Sequence, residues 1–210
     1  MKLLITVLAL CTCRAAEERT AMAVLYKNSE QKGQTTSLDL VGIVQFTQAG
    51  PAAKLMVNIN VFTDAEYFAD GLHGFHIHQM GNVYGGCTQT LGHYNPLDVL
   101  HGGPDSAVRH TGDFGNIEIK NHAFTGEHTD SQASLYGQYS IIGRGVVLHE
   151  TQDDLGKGGD LGSQKTGNAG SRLACGVIGI SSEGYDNASS SVVSSLGLLL
   201  TTTLLRFLFQ

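Results

Sequence analysis

The stretch "HGFHIHQMG", His73 to Gly81, places His76 and His78 on either side of Ile77. In an extended strand alternate side chains point to the same face, so the two imidazoles project together. Two nitrogen donors on one rigid strand are half of a transition-metal site. The competing reading is a polar pair on the solvent face of a half-buried strand, and the rest of the chain has to decide between them. Further donors are present: His93 in "LGHYNP", His101 in "LHGGP", His110 with Asp113 in "RHTGD", and His149 closing "VVLHE". His93, His101, His110 and Asp113 are spaced closely enough for one loop to wrap a cation. Three imidazoles and a carboxylate make a closed tetrahedral set, which suits structural zinc. His76, His78 and His149 come from strands and would make a second, more open nitrogen site, of the kind that suits copper.

Positioning those side chains requires strands and two long loops. The chain has 210 residues, 27 glycines and no tryptophan, enough for one domain with a sizeable core. Short β-rich runs split by Gly, Asn and Asp replace any long helical periodicity, which reads as all-β. Strands are expected at 21–26, 40–48, 54–62, 74–79, 116–120, 122–128 and near 141–149, with a last one over "RLACGVIGI". Alternation is clearest in "LMVNINVF". Between them, 81–113 and 150–170 read as long loops, a length that is usually functional.

The ends do not belong to that domain. "MKLLITVLALCTCRAA" has a lysine, an apolar run and small residues, the pattern of a secretory signal over 1–16. Residues 17–186 form the domain, and 187–210 a polar spacer followed by a hydrophobic tail. Processing at both ends would leave Cys87 and Cys175 as the only cysteines, and two cysteines in a secreted domain point to one disulfide. The formal charge would move from −6 to −9, with 10 basic against 19 acidic residues. Such a chain has no basic stripe to neutralise phosphates, so nucleic acid is excluded as a partner. It has no polybasic tail for sulfated polymers either.

Taken in order, "GFHIHQMG", "GHYNPL", "HGGP", "RHTGDFGN", "IIGRGVVLHE", "DDLGKGG" and "KTGNAGSRLACGVIGI" resemble the copper/zinc superoxide dismutases, over roughly residues 21–181. The resemblance implies an eight-stranded Greek-key β-barrel with two long functional loops, commonly a homodimer. It implies copper held by His76, His78, His93 and His149, and zinc held by His93, His101, His110 and Asp113, with His93 bridging the two. Asp153 matches the aspartate that hydrogen-bonds ligands of both metals. Arg172 matches the arginine beside copper, Lys165 and Thr166 match residues lining the approach, and Cys87 and Cys175 match the family disulfide. "GVIGI" and residues 81–84 match interface segments. The implied reaction is dismutation of superoxide. Copper alternates between two oxidation states, zinc is redox-silent, His93 exchanges a proton, and Arg172 orients the anion.

His73 is expected to be structural, and His122 and His128 to be solvated surface groups. The glycines of "KGGDLG" lack the strand and helix context of a phosphate loop. A hydrolase using H-x-H on a strand needs a helix-clad barrel, which this sequence does not encode. The remaining alternative is a non-enzymatic metal-binding or copper-handling protein of the same fold, but such relatives drop a ligand or the arginine, and none is missing here. Two departures stand out. Leu161 and Gly162 follow Asp160 where many relatives carry acidic residues, and Gly92 precedes His93 where proline is common.

The tail runs from small residues at 187–190 through a polar spacer to an apolar stretch that ends with the chain. That is the pattern of a glycosylphosphatidylinositol (GPI) attachment signal. A spanning helix needs about 20 apolar residues, and the stretch at 196–209 is shorter and carries a threonine triplet and Arg206. An amphipathic helix is disfavoured by its Ser and Thr content, and a disordered extension by its leucines. Membrane contact is therefore expected only through a lipid anchor.

Overall fold

A computed structural model describes residues 18–28, 39–63 and 67–183. The expected signal segment and C-terminal tail lie outside these residues. Nine antiparallel strands are present: β1 Arg19–Lys27, β2 Leu40–Gln48, β3 Leu55–Phe62, β4 Gly71–His78, β5 Asp113–Ile119, β6 Ala123–Asp130, β7 Gly145–His149, β8 Arg172–Val177 and β9 Gly179–Glu183. The ladder order β5-β4-β7-β8-β1-β2-β3-β6 curls until β5 and β6 approach each other, giving an eight-stranded, nearly closed Greek-key barrel. β9 pairs with β1 beside that path.

Period-two alternation builds the interior, as expected for strands with one solvated face. In β3, Leu55, Val57, Ile59 and Val61 turn inward while Met56, Asn60 and Phe62 stay exposed or nearly so. Ala21, Ala23 and Leu25 of β1 and Val44 and Phe46 of β2 meet them, with Phe75, Ile77, Leu148 and Ile178 from the other side. β4 breaks the alternation: from His73 to His78 every residue is buried. Its second face is covered by loops, so a solvent-facing histidine pair is ruled out.

Several strand limits differ from the sequence reading. β4 begins three residues early because Gly71 to Gly74 pair with Ile119 to Asn116. The single last strand is two. At Ile178 the side chain enters the core, while its N–H bonds Arg144 O (2.9 Å) and its carbonyl accepts from Gly143 N (2.8 Å), so β8 stays on β7 and β9 passes to β1. β5 and β6 are joined by a two-residue turn at Asn121 and His122, both with positive φ. The Asp70 carboxylate accepts from both of that turn's N–H groups at 2.9 and 3.0 Å.

The two long connections carry the site. The first, 79–112, closes against β4 beyond a bulge at Gly74–His76: Ile77 N bonds Gly112 O (2.9 Å) and Ile77 O accepts from Tyr94 N (2.8 Å). A Cβ on Gly112 would sit 2.1 Å from Ile77 O, so only glycine allows this approach. The second, 150–171, was expected to be irregular and contains a short helix, α1 Leu161–Thr166. Asp160 caps it by accepting from Ser163 N (2.8 Å), and Gly167 ends it in the left-handed conformation (φ 65°).

Candidate metal centre

Four elements deliver the ligand residues to one place. β4 supplies His76 and His78, β7 supplies His149 at its last position, and the first loop supplies His93, His101 and His110, ending at Asp113 on β5. All seven are buried. Two donor sets result: His76, His78, His93 and His149, and His93, His101, His110 and Asp113. Within each set the donor atoms lie within 4.8 Å of one another, and His93 is common to both. The structure thus brings the histidines and Asp113 expected from the sequence together in two groups.

The ring nitrogens divide into held and converging ones. His76 Nε2 is 2.9 Å from Asp153 Oδ2, His78 Nδ1 is 2.7 Å from Leu91 O, and His149 Nδ1 is 3.3 Å from Gly170 O. That leaves His76 Nδ1, His78 Nε2, His93 Nε2 and His149 Nε2 to face each other, the second and fourth 3.2 Å apart. In the other set His101 Nε2 is 2.8 Å from Asp153 Oδ1 and His110 Nε2 is 3.0 Å from Val99 O. Their Nδ1 atoms and that of His93 then face Asp113 Oδ1 at 3.0, 3.1 and 2.8 Å. His76 Nδ1, His93 Nε2 and His101 Nδ1 have no hydrogen-bond partner at all; the last is near Asp113 without the alignment of a hydrogen bond. Buried polar atoms left unpartnered are costly, whereas outward nitrogens fixed by carboxylate or carbonyl are the usual support of metal-ligating histidines. The donor chemistry fits two cations, one in an all-nitrogen set and one in a nitrogen and carboxylate set.

Charge separates the two sets. Burial, reinforced by the neighbouring imidazoles, holds His76 and His78 well below the usual histidine range and lowers His149 to about 3. His93 is lowered by burial as well, against the pull of Asp113. At His101 burial acts downward, but Asp113 and Asp153 outweigh it and raise the group to about 9. Asp113, despite burial, is driven far below the carboxylate range by His101, His110 and His93. The first set thus offers neutral lone pairs, and the second carries its own anion.

Residues 40–178 match the family model of copper/zinc superoxide dismutase. An extracellular Cu-Zn superoxide dismutase of Caenorhabditis elegans is 47% identical over 177 residues, covering 84% of this chain and 76% of its own length. One of Drosophila melanogaster is 44% identical over 185 residues, covering 86% of this chain and 99% of its own. The Cu-Zn superoxide dismutase A of Xenopus laevis is 49% identical over 141 residues, 67% of this chain and 90% of its own. The chain belongs to the copper/zinc superoxide dismutase family. It is an oxidoreductase that dismutates superoxide to dioxygen and hydrogen peroxide, with copper and zinc as cofactors.

In this dismutase Asp153 is fully buried and touches one histidine of each set. Its backbone is held by Asn116 of β5, which accepts from Asp153 N (2.7 Å) and donates to Asp153 O (2.9 Å). A Cβ on Gly167 would lie 1.8 Å from Asp153 Oδ1, so the end of α1 has to be bare there. Arg172 sits opposite His149 in the β7–β8 ladder, and its charge depresses both His78 and His149. Its Nη1 donates to Cys87 O, Thr88 O and Thr90 Oγ1 at 2.8, 3.1 and 3.2 Å. Cys87 and Cys175 are disulfide-bonded across 88 positions. Lys165 and Thr166 are exposed on α1. Asp160 is occupied as that helix's cap, and Leu161 is largely exposed.

His73 is structural as expected. It is buried, with Nδ1 2.9 Å from His149 O and Nε2 2.9 Å from Ala69 O. His122 is half-buried beside Asp70, and His128 is partly covered by Phe114. Sequence reasoning missed Asn116 as Asp153's backbone partner, and it missed the buried Arg109–Asp130 ion pair. That pair ties the residue before His110 to the end of β6. Only the polar residue types hinted at either, because partners so far apart leave no spacing pattern.

Proposed function

We propose that the all-nitrogen set of His76, His78, His93 and His149 holds copper and that His93, His101, His110 and Asp113 hold zinc. Bound copper would accept the electron that one superoxide gives up and pass it to the next, while zinc, without redox chemistry, would add geometry and charge. The observation that carries the assignment is His93, whose two nitrogens face different donor sets with no carboxylate in one of them. His93 Nε2 would be a ligand of bound copper; when not ligating it would take a proton from solvent and hand it to the peroxide product, whose second proton comes from solvent. Asp153 keeps His76 and His101 in fixed tautomers, so both sets stay in register. Arg172 presents a permanent charge beside His78 and His149 and orients the anion there. Lys165 and Thr166 line the approach, and Lys165 gives a cationic mouth to a protein of net charge −6.

The wider reading has three parts. Residues 1–16 are a secretory signal, 17–186 the catalytic domain and 187–210 a GPI-attachment signal. The composition of the ends supports this, as do relatives named extracellular. The domain pairs with a second copy through exposed apolar residues of the two matched segments, Val83 and Tyr84 in the first loop (Tyr84 91% exposed) and Val177 and Ile180 in β8 and β9. Gly81 and Val177 are neighbours, which brings the two segments together.

The test is to measure bound copper and zinc in the secreted protein, assay superoxide loss, and treat cells expressing the full chain with a GPI-specific phospholipase. One copper and one zinc per chain, a metal-dependent rate and release of active enzyme are expected. Retention on the membrane after treatment, or free appearance in the medium without it, argues against the anchor. Metal-loaded protein without dismutase activity would overturn the site assignment.

A further inference from the structure

Asn28 closes a hydrogen-bonded circuit around Arg172. It lies just beyond the end of β1, and it is buried. Its Oδ1 accepts from Cys87 N at 3.0 Å and its Nδ2 donates to Arg172 O at 2.8 Å. Cys87 O in turn accepts from Arg172 Nη1 at 2.8 Å. Cys87 is thus held at its N–H by Asn28 and, in the following peptide, at its carbonyl by the guanidinium. Asn28 is itself anchored: its N–H faces Leu173 O (2.7 Å) and the Tyr67 hydroxyl (3.0 Å), and that hydroxyl donates to Leu173 O (2.7 Å).

We propose that Asn28 is a positioning residue for Arg172, acting through the Cys87 backbone. The inference rests on the reading of Arg172 as the group that orients the anion. The disulfide fixes the Cys87 side chain to β8, while the bond from Cys87 N to Asn28 helps set the backbone angles at that Cα and so the direction of the next carbonyl, Cys87 O. The Cys87 carbonyl is one of three acceptors for Arg172 Nη1, and Thr90 Oγ1, another of them, itself donates to Cys87 O at 2.8 Å. A change in the backbone angles at Cys87 would therefore shift the whole cradle. A side-chain amide is suited to the task because it offers an acceptor and a donor from one rigid plane. Alanine offers neither, and aspartate keeps only the acceptor that holds Cys87 N.

The experiment compares wild type, Asn28→Ala, Asn28→Asp and Arg172→Gln, each loaded with copper and zinc and with the disulfide intact. The readouts are azide affinity, followed by visible absorption of the copper-loaded protein, and kcat/KM for superoxide. Asn28→Ala should weaken azide binding and kcat/KM by roughly three- to tenfold, the worth of one hydrogen bond, at unchanged metal content. Asn28→Asp should restore most of both, and Arg172→Gln should lower both further than Asn28→Ala does. Wild-type azide affinity in Asn28→Ala, with affinity lost in Arg172→Gln, would overturn the role of Asn28 and leave the site reading standing. Wild-type affinity in Arg172→Gln would overturn the reading of Arg172 and this inference with it. A drop in melting temperature of Asn28→Ala without a change in anion affinity also counts against positioning.

Discussion

The two donor sets share His93 but are supported in opposite ways. Three of the four nitrogens of one set come from β4 and β7, strands locked into the barrel ladder. The other set is spread along one loop and enters the barrel only at Asp113. The strand-borne set has no carboxylate, and its imidazoles are kept neutral by burial; the loop-borne set gathers around an anion. A rigid, charge-poor set keeps its shape while a bound ion changes charge. A loop organised about a carboxylate depends on its cation for order. On the proposed assignment, one set suits electron exchange and the other suits holding a loop.

Removing one ligand from each set gives the largest expected contrast. His149→Ala should lose copper and all dismutation while keeping zinc and much of its melting temperature. His110→Ala should lose zinc and melt lower, and its activity should fall only as the loop loosens. Metal analysis, melting and activity on both variants decide it, and equal damage on all three would erase the contrast. Asp153→Ala attacks the coupling between the sets. It should weaken both metals by about 10- to 100-fold, the usual cost of losing an outer partner of a ligand. Weakening of one metal alone would show that Asp153 serves a single set.

Arg172→Glu should slow the reaction by about tenfold or more through reversal of the local charge, with metal content retained. Added salt should slow the wild type by screening the approach. A rate indifferent to both would leave Arg172 with no steering role.

Protons sharpen the contrast further in protein stripped of metal. His149, lowered from 6.5 to about 3, is neutral when folded. The unfolded chain binds that proton first, so stability falls as pH drops from 6.5 toward 3. His101, raised to about 9, does the reverse: its stabilisation is complete below 6.5 and is lost as pH rises through about 9. Copper affinity should accordingly be flat above neutrality while zinc affinity climbs until His101 has lost its proton. Parallel pH profiles for the two metals would contradict this. The disulfide acts on the whole fold and not on either set. Reducing the Cys87–Cys175 bond should cost about 4–5 kcal/mol of stability on a loop-closure argument, which denaturant melts of oxidised and reduced protein would measure.

Much of the site was legible because its residues form short local patterns. H-x-H on a strand, a histidine-rich loop ending in His-x-x-Asp and two remaining cysteines each carry their chemistry in spacing. The all-β fold was legible from alternation such as "LMVNINVF". Asn28 was not, because it acts through backbone atoms of residues 59 and 144 positions away. The six-residue α1 was hidden in a glycine-rich loop, although Asp160 and Gly167 are ordinary helix-ending signals. The split of the last strand depends on where Ile178 meets Gly143 and Arg144, which only the closed barrel determines.

The central claim is that His93 bridges a four-nitrogen copper site and a zinc site that contains Asp113. Anomalous diffraction collected at the copper and zinc absorption edges, on crystals of the loaded protein, tests it most directly. The account predicts a copper peak among His76 Nδ1, His78 Nε2, His93 Nε2 and His149 Nε2, and a zinc peak among the Nδ1 atoms of His93, His101 and His110 and the Asp113 carboxylate. The reverse occupancy, or His93 bound to one metal with its other nitrogen facing solvent, would contradict it.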